Sequence, residues 1–252
     1  MQYSYFPNIE RPLIFGHRGF SSEAPENSMP AFDLCVEHNI GGVELDVHLC
    51  KSGELVVIHD HNLKRLAGID RRVEELTLGQ LKELDIGSHK GQTFRGEKIP
   101  TLEELFKRHG KALYYDIEIK EESAKQTPIG GILKALIEQY ALEKQCIVSS
   151  FNPFALRYFR KISGNTIPTA TIFAESGEVP RFLWHGWGRH ISRSPLLKPD
   201  RQQVNEQFIK KFRLHKRYPI ISWTVNSKEE GLRLLQMGVE GLISDNPALF
   251  TP

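Results

Sequence analysis

The stretch Gly41-Gly42-Val43-Glu44-Leu45-Asp46-Val47-His48 governs how the rest of the chain is read. A glycine turn leads into a short run in which two carboxylates alternate with aliphatic residues. Side chains two positions apart on a strand share a face, with about 7 Å between their Cα atoms. Glu44 and Asp46 therefore point one way, and Val43, Leu45 and Val47 the other. Two acids on one face of an otherwise apolar strand are costly to bury unless something cationic sits between them, and a divalent ion with oxygen ligands meets that need. The alternative is an edge strand whose polar face lies in water.

Upstream, the apolar run Pro12–Gly16 is a strand that continues into His17-Arg18-Gly19, and Asn27 or Ser28 caps a helix carrying Met29, Phe32, Leu34, Cys35 and Val36. Downstream, Lys51-Ser52-Gly53-Glu54 is a turn before the apolar run Leu55–Ile58, which ends at His59-Asp60. From His61 to about Ile99 the pattern breaks into charge with scattered leucines, which predicts an insertion carrying a short helix, Leu78–Leu84. Thr101 then opens a helix through Arg108 with a Thr-Leu-Glu-Glu capping box.

Beyond it strands and helices alternate. The pattern predicts strand Ala112–Ile119 and helix Ile129–Tyr140, strand Cys146–Ser149 and helix Pro153–Lys161, then strand Thr166–Phe173 and a helix around Val179–Trp184. Strand Arg189–Arg193, helix Arg201–Leu214, strand Pro219–Thr224, helix Lys228–Met237 and strand Val239–Ser244 complete the series, with a last turn at Pro247. Near-continuous apolar strands separated by helices imply a parallel sheet covered on its faces. With Pro12–Gly16 and Val43–Val47 the count is eight units in 252 residues, the size of a (β/α)8 TIM barrel with a small insertion, at about 61–99, after the second strand. The expectation is a single domain over residues 1–252. A doubly wound open sheet is the other arrangement, but no Gly-x-Gly-x-x-Gly follows a strand.

A net charge of +2 gives no global pull toward nucleic acid or a membrane. Ten Lys or Arg against two acids between Arg181 and Arg217 reads as a solvated helix face rather than an anion-steering surface. An odd set of three cysteines, Cys35, Cys50 and Cys146, points to free thiols in a reducing compartment. Met1–Pro7 lacks a signal-peptide pattern, and no apolar run is long enough to span a bilayer. The reading is a soluble, cytoplasmic protein without stable membrane insertion.

A barrel keeps its chemistry at the carboxyl ends of its strands. Those ends carry His17-Arg18-Gly19, Glu44 and Asp46, His59-Asp60, Asp116-Ile117-Glu118-Ile119-Lys120, Ser149-Ser150-Phe151, Trp223-Thr224-Val225-Asn226 and Ser244-Asp245-Asn246. If Ile117 and Ile119 face the helices, Glu118 faces the barrel interior. Glu44, Asp46 and Glu118 then form a hard-oxygen donor set suited to Mg2+ or Ca2+, whereas zinc would favour more histidine and cysteine. Arg18 and Lys120 offer donors to phosphate oxygens, and His17 and His59 stand on different elements, as a general base and a general acid would.

In this order, His17-Arg18-Gly19, Pro25-Glu26-Asn27-Ser28, Glu44-x-Asp46-Val47, His59-Asp60, Glu118-Ile119-Lys120, Ser150-Phe151, Trp223-Thr224-Val225-Asn226 and Ser244-Asp245-Asn246-Pro247 closely resemble the glycerophosphodiester phosphodiesterases. The resemblance covers essentially the whole chain. It implies a (β/α)8 barrel and divalent-ion-dependent cleavage of a small-molecule glycerophosphodiester to glycerol 3-phosphate and an alcohol. It implies Glu44, Asp46 and Glu118 as metal ligands, His17 and His59 as the acid/base pair, and Arg18 and Lys120 as phosphate contacts. Trp223 and Phe151 fall on the substrate side, with Glu26 and Asn27 behind the site. A homodimer is compatible with this reading. Departures are small: Ser28 and Ser244 stand where the family usually has threonine, and the turn after Asp46 lacks its usual acid.

Two other readings use the same residues. A lysophospholipase D or a cyclising phospholipase would need an apolar lip, for which Trp184 and Trp187 are candidates, although packing is their plainer role. A non-catalytic phosphodiester-binding barrel would be favoured by a missing histidine, and both are present. Asp245-Asn246-Pro247 reads as a helix start with Pro at its first position. The remaining histidines read as surface or packing residues, His48 least securely because it shares a strand face with Glu44 and Asp46.

Overall fold

The computed structural model describes residues 12–177 and 179–251; Met1–Pro7, read above for a targeting pattern, lies outside the described residues. Strand β1 (Leu13–His17) is buried until its last residue. It turns through Arg18 and Gly19, both with positive φ (56° and 83°). A Cβ on Gly19 would lie 2.7 Å from that of Ala31, so this turn needs glycine. Ser28, not Asn27, caps α1 (Met29–Glu37): its Oγ accepts from the Ala31 N–H at 3.4 Å. Strand β2 (Gly42–Leu49) is the long run identified first, and β3 (Leu55–Val57) folds back on it antiparallel.

The insertion follows. It holds α2 (Lys64–Ala67), a 3-10 turn at Val73–Glu75, and α3 (Leu78–Glu83), which opens with a Thr77/Gln80 capping box. Its leucines have a core of their own: Leu63, Leu66, Val73, Leu76, Leu81 and Ile86 cluster with Val56 and Ile58 from the barrel side. The chain returns through α4 (Leu102–His109), capped by Thr101 and Glu104 as expected.

Strands β4 (Tyr114–Ile119), β5 (Cys146–Ser150) and β6 (Thr169–Phe173) alternate with α5 (Ile129–Gln139) and α6 (Pro153–Ile162). Then come α7 (Gly188–Ser192), β7 (Leu196–Pro199), α8 (Glu206–Phe208), β8 (Ile221–Ser222), α9 (Lys228–Gln236) and β9 (Gly241–Ser244). Pairing runs β7-β6-β5-β4-β2-β1-β9-β8, all parallel. Parallel bridges Leu197–Ile220 and Asp200–Trp223 join β7 to β8, so eight parallel strands form a nearly closed TIM barrel. Leu13, Phe15, Ile147, Ala170, Leu196, Ile221 and Ile243 fill its floor. Larger clusters lie outside, between strands and helices.

The sixth strand was misplaced. Arg189–Arg193 is helical, within α7 and its left-handed cap at Arg193, and the strand is β7, six residues or so downstream. A barrel strand must be buried along its length. Leu196, Leu197, Lys198 and Pro199 are all buried, whereas His190 is exposed. The helix expected at Val179–Trp184 is a single 3-10 turn, Arg181–Leu183. The helix expected over Arg201–Leu214 is broken into a 3-10 turn, α8 and a π-helical segment, Ile209–His215. Asn205 causes the restart by capping the Phe208 N–H at 2.9 Å.

Candidate active site

Parallel register brings the acids together. Glu44 pairs with Asp116 and Asp46 with Glu118 across β2 and β4, while His17 on β1 pairs with Glu44. Ile117 and Ile119 pack outward against the helices, so Asp116 and Glu118 face the interior. Glu44, Asp46 and Glu118 are all buried, and their carboxylate oxygens lie within 4.8 Å of one another. Such a cluster of three acid oxygens is what a hard divalent cation requires.

The surrounding cations neutralise these acids unevenly. Lys120 Nζ is 2.7 Å from Glu118 Oε1 and 3.1 Å from Asp46 Oδ1. Asn27 Nδ2 donates to Asp46 Oδ2 at 2.8 Å, and Arg18 Nε lies 3.5 Å from the same oxygen. Burial would raise the Asp46 carboxyl, but Lys120, His59 and Arg18 hold it far below the usual carboxylate range. Glu44 is less well served: it accepts the Arg18 backbone N–H at 3.2 Å, and the nearest basic side-chain nitrogens among the described residues are His17 Nε2 at 3.9 Å and Lys198 Nζ at 4.0 Å. Burial and the neighbouring Asp46 push its carboxyl upward.

Each of the two histidines is held by a carboxylate. His17 Nδ1 is 2.6 Å from Asp245 Oδ1, and His59 Nδ1 is 2.7 Å from Asp60 Oδ1. This fixes the rings and leaves each Nε2 as the atom available for proton transfer. Asp245 is held in turn by Asn226 at 2.6 Å and Ser21 at 3.1 Å. Asp60 and Glu26 are bridged by Arg65 of the insertion, at 2.6 Å and 2.7 Å, and Glu26 also accepts from Arg18 at 2.8 Å. Glu26 thus lies behind the site and not in it.

His17, Arg18, Glu44, Asp46, His59, Glu118 and Lys120 open on one cavity of about 830 Å3, which Phe151 and Trp223 also line. Their rings meet edge to face at 5.6 Å, and Trp223 Nε1 donates to the Lys198 carbonyl at 3.0 Å. The structure therefore gathers every predicted residue at one rim, with Glu26 and Asn27 serving as supports.

Sequence reasoning missed one group and did not pair another with His17. Lys198 sits at the base of the cavity, Nζ 2.8 Å from Asp116 Oδ2 and donating to Ser149 Oγ at 3.0 Å. Its signal was a lysine inside Leu-Leu-Lys-Pro, hidden once the strand was placed at Arg189–Arg193. Asp245 was placed at a strand end and in the family motifs, with a helix start as its role; Pro247 does begin a 3-10 turn, but the aspartate side chain turns to His17. Trp184 is anchored through Nε1 to the carbonyls of Ser176 and Val179, while Trp187 is 61% exposed, its ring 5.5 Å from that of His190.

The sequence pattern of the Glycerophosphoryl diester phosphodiesterase family matches residues 17–249. A glycerophosphodiester phosphodiesterase from Caldanaerobacter subterraneus is 35% identical over 240 residues, spanning 94% of this chain and 95% of that protein. Among solved structures, an Oleispira antarctica phosphodiesterase in complex with the product sn-glycerol-3-phosphate superposes with a TM-score of 0.78 at 27% identity, covering 94% of each chain. A glycerophosphodiester phosphodiesterase from Thermotoga maritima gives 0.71 at 28% identity, covering 96% of this chain and 98% of that one. With the motifs in order around one barrel and this match over nearly its full length, the chain belongs to the glycerophosphoryl diester phosphodiesterase family of hydrolases.

Proposed function

We propose that this cavity hydrolyses glycerophosphodiesters, the deacylated head groups of phospholipids, to glycerol 3-phosphate and an alcohol. The observation that carries the reading is the convergence on one rim of two carboxylate-held imidazoles and three buried acid oxygens within 4.8 Å. The product complex of the Oleispira antarctica relative supports the substrate class.

In this reading Glu44, Asp46 and Glu118 hold a divalent cation, Mg2+ or Ca2+. The donor set fits: hard oxygens, no cysteine or imidazole among them, and an under-compensated Glu44. When bound, the ion polarises a phosphoryl oxygen and offsets developing charge. One imidazole takes the proton from the attacking hydroxyl as its oxygen bonds to phosphorus. The other returns a proton to the alcohol oxygen as the phosphorus–oxygen bond to it breaks. Asp245 and Asp60 keep the rings aimed and stabilise their cationic forms. Arg18 and Lys120 present positive charge to the phosphate from the cavity wall, and Phe151 and Trp223 offer an apolar face to the glycerol carbons.

The barrel and its insertion act as one catalytic domain, since Arg65 of the insertion supports Asp60 and Glu26. Three free, buried cysteines suit a reducing, cytoplasmic compartment. Among the described residues no helix is long and apolar enough to cross a membrane.

The test is release of glycerol 3-phosphate from glycerophosphocholine or glycerophosphoethanolamine with Mg2+, Ca2+ or a chelator present. Chelation should abolish turnover, and His17→Ala and His59→Ala should each lose about 100-fold or more. Near-full activity in either variant would overturn the acid/base assignment.

A second reading, a lysophospholipase D or cyclising phospholipase, draws on one observation: Phe182 and Trp187 are 60% and 61% exposed on the segment after β6. Their rings suit a lipid-facing lip. Co-sedimentation with anionic vesicles decides it; no binding removes this alternative.

A further inference from the structure

One face of β2 carries Glu44 and Asp46, and its next residue in phase is His48. His48 is fully buried, an expensive place for an imidazole without defined partners. Its Nε2 lies 3.1 Å from the His59 carbonyl oxygen. A carbonyl only accepts, so this nitrogen carries a hydrogen, which leaves Nδ1 as the ring atom able to meet a cation. Nδ1 faces Glu74 Oε1 at 3.3 Å. The same Glu74 oxygen lies 2.9 Å from His61 Nδ1. His61 Nδ1 also has Arg72 Nη2 at 3.3 Å, but the closer carboxylate oxygen only accepts, so this nitrogen donates to it. Two imidazole nitrogens and a carboxylate oxygen thus converge on one point, where a cation would take the place of the imidazole hydrogens.

We infer that His48, His61 and Glu74 form a second metal site, separate from the acid cluster, with an imidazole and carboxylate donor set suited to Zn2+. The ligand atoms of all three residues lie within 4.8 Å of one another. Tetrahedral ligands about 2.0–2.1 Å from zinc stand roughly 3.3 Å apart, the separation seen between His48 Nδ1 and Glu74 Oε1. Two imidazoles and one carboxylate leave a fourth position for water. An outer shell is in place: the His59 carbonyl fixes the His48 ring, and Arg72 Nε reaches the other Glu74 oxygen at 3.3 Å while its Nη2 is held by Glu122 at 2.8 Å. The donors also divide Mg2+ from Zn2+ between the two sites, since hard oxygen sets suit the first and imidazole the second.

The consequence is positional. His48 belongs to the barrel, His61 and Glu74 to the insertion, and His48 holds the backbone of His59. An ion here would clamp the insertion onto β2 and steady the segment that carries His59.

The experiment titrates metal-stripped protein with Zn2+ by calorimetry, with Mg2+ in large excess to occupy the acid cluster, and repeats it with Co2+ as a spectroscopic probe. Wild type should take up one Zn2+, and Co2+ should show the intense visible bands of a low-coordinate site. His61→Ala should weaken Zn2+ at least about tenfold, the least that losing even an outer partner costs a metal site. Glu74→Gln, which keeps the side-chain shape, should do the same, and Glu118→Gln should leave Zn2+ binding intact. Failure of wild type to bind Zn2+ would overturn the inference, as would binding lost in Glu118→Gln and kept in His61→Ala and Glu74→Gln. Because the readout is Zn2+ uptake, it stands or falls independently of phosphodiesterase activity.

Discussion

Lys198→Met isolates a charge pair that both supports the barrel and touches the site. Lys198 and Asp116 are 1% and 0% exposed, with 2.8 Å between Nζ and Oδ2. At an effective dielectric of about 20 the attraction over that 2.8 Å is roughly 6 kcal/mol, most of it offset by the desolvation of both ions. Burial alone would pull the Lys198 ammonium down; Asp116 and Glu44 outweigh it and raise it. Removing the lysine leaves Asp116 buried with one remaining hydrogen bond, from Ser149 Oγ at 2.7 Å. Breaking a buried pair in this way costs about 3–5 kcal/mol. The surviving hydrogen bond argues for the lower end, so Tm should fall on the order of 10 °C.

Asp116→Asn combined with Lys198→Met removes both charges and should recover most of that loss, because a buried pair replaced as a unit is often nearly neutral. Urea unfolding of the four proteins gives the coupling energy, expected toward the top of the roughly 0.5–3 kcal/mol range for residues in contact. Metal affinity should rise in Lys198→Met, since a cation 4.0 Å from Glu44 has been removed. A loss below about 1 kcal/mol, or single effects that simply add within about 0.5 kcal/mol, would refute the account.

Three further outcomes follow from the same geometry. Asp245→Asn should lower kcat about 10–100-fold with little change in KM, by analogy with the cost of losing an outer partner that orients a histidine. Its folded carboxyl is lowered to about 2, burial opposing and His17 driving the shift, so its stabilising effect is complete above the unfolded value near ~3.9. The stability gap from wild type should therefore close as pH falls toward 2, which acid titration of both proteins checks. Glu44→Gln should stabilise the metal-free protein at neutral pH while weakening divalent-ion affinity, because a raised carboxyl costs stability once ionised; thermal melts with and without Mg2+ test both halves. Arg65→Met unties Asp60 and Glu26, and stopped assays should show kcat falling more than tenfold while Mg2+ affinity stays near wild type.

Much of this could be read from sequence because period-two alternation does two jobs in β2 and β4. It assigns the aliphatic residues to the helix layer and thereby sends Glu44, Asp46 and Glu118 to the interior, as the structure shows. Strand ends were equally legible where polar residues follow an apolar run, as at His17 and His59. The pattern failed at β7. A barrel strand that ends in Lys198 and Pro199 looks like a loop until the burial of that lysine by Asp116 is known, and that partner lies 82 positions away. Arg189–Arg193 looked like the strand for want of a helix signal, since its left-handed stop falls on Arg193 and not on glycine. Asp245 was seen but misassigned for a related reason: its role depends on His17, 228 residues distant, whereas Pro247 is adjacent.

The charge arrangement at the barrel mouth explains why one acid differs from its neighbours. Asp116, Glu118 and Asp46 each have an ammonium nitrogen at 2.8, 2.7 and 3.1 Å. Among the described residues, Glu44 has no basic side-chain nitrogen nearer than the 3.9 Å of His17 Nε2. Since attraction falls with distance while the cost of burial does not, the shortfall of positive charge is centred on Glu44. Lys198 and Lys120 thus compensate the flanking acids well enough for the barrel to fold around four buried carboxylates. They also leave a deficit at the one position that His17, Asp46 and Glu118 all surround. A site fully neutralised by lysines would be more stable and would have no use for an ion. In the proposed reading, that residual deficit is what a bound cation would fill.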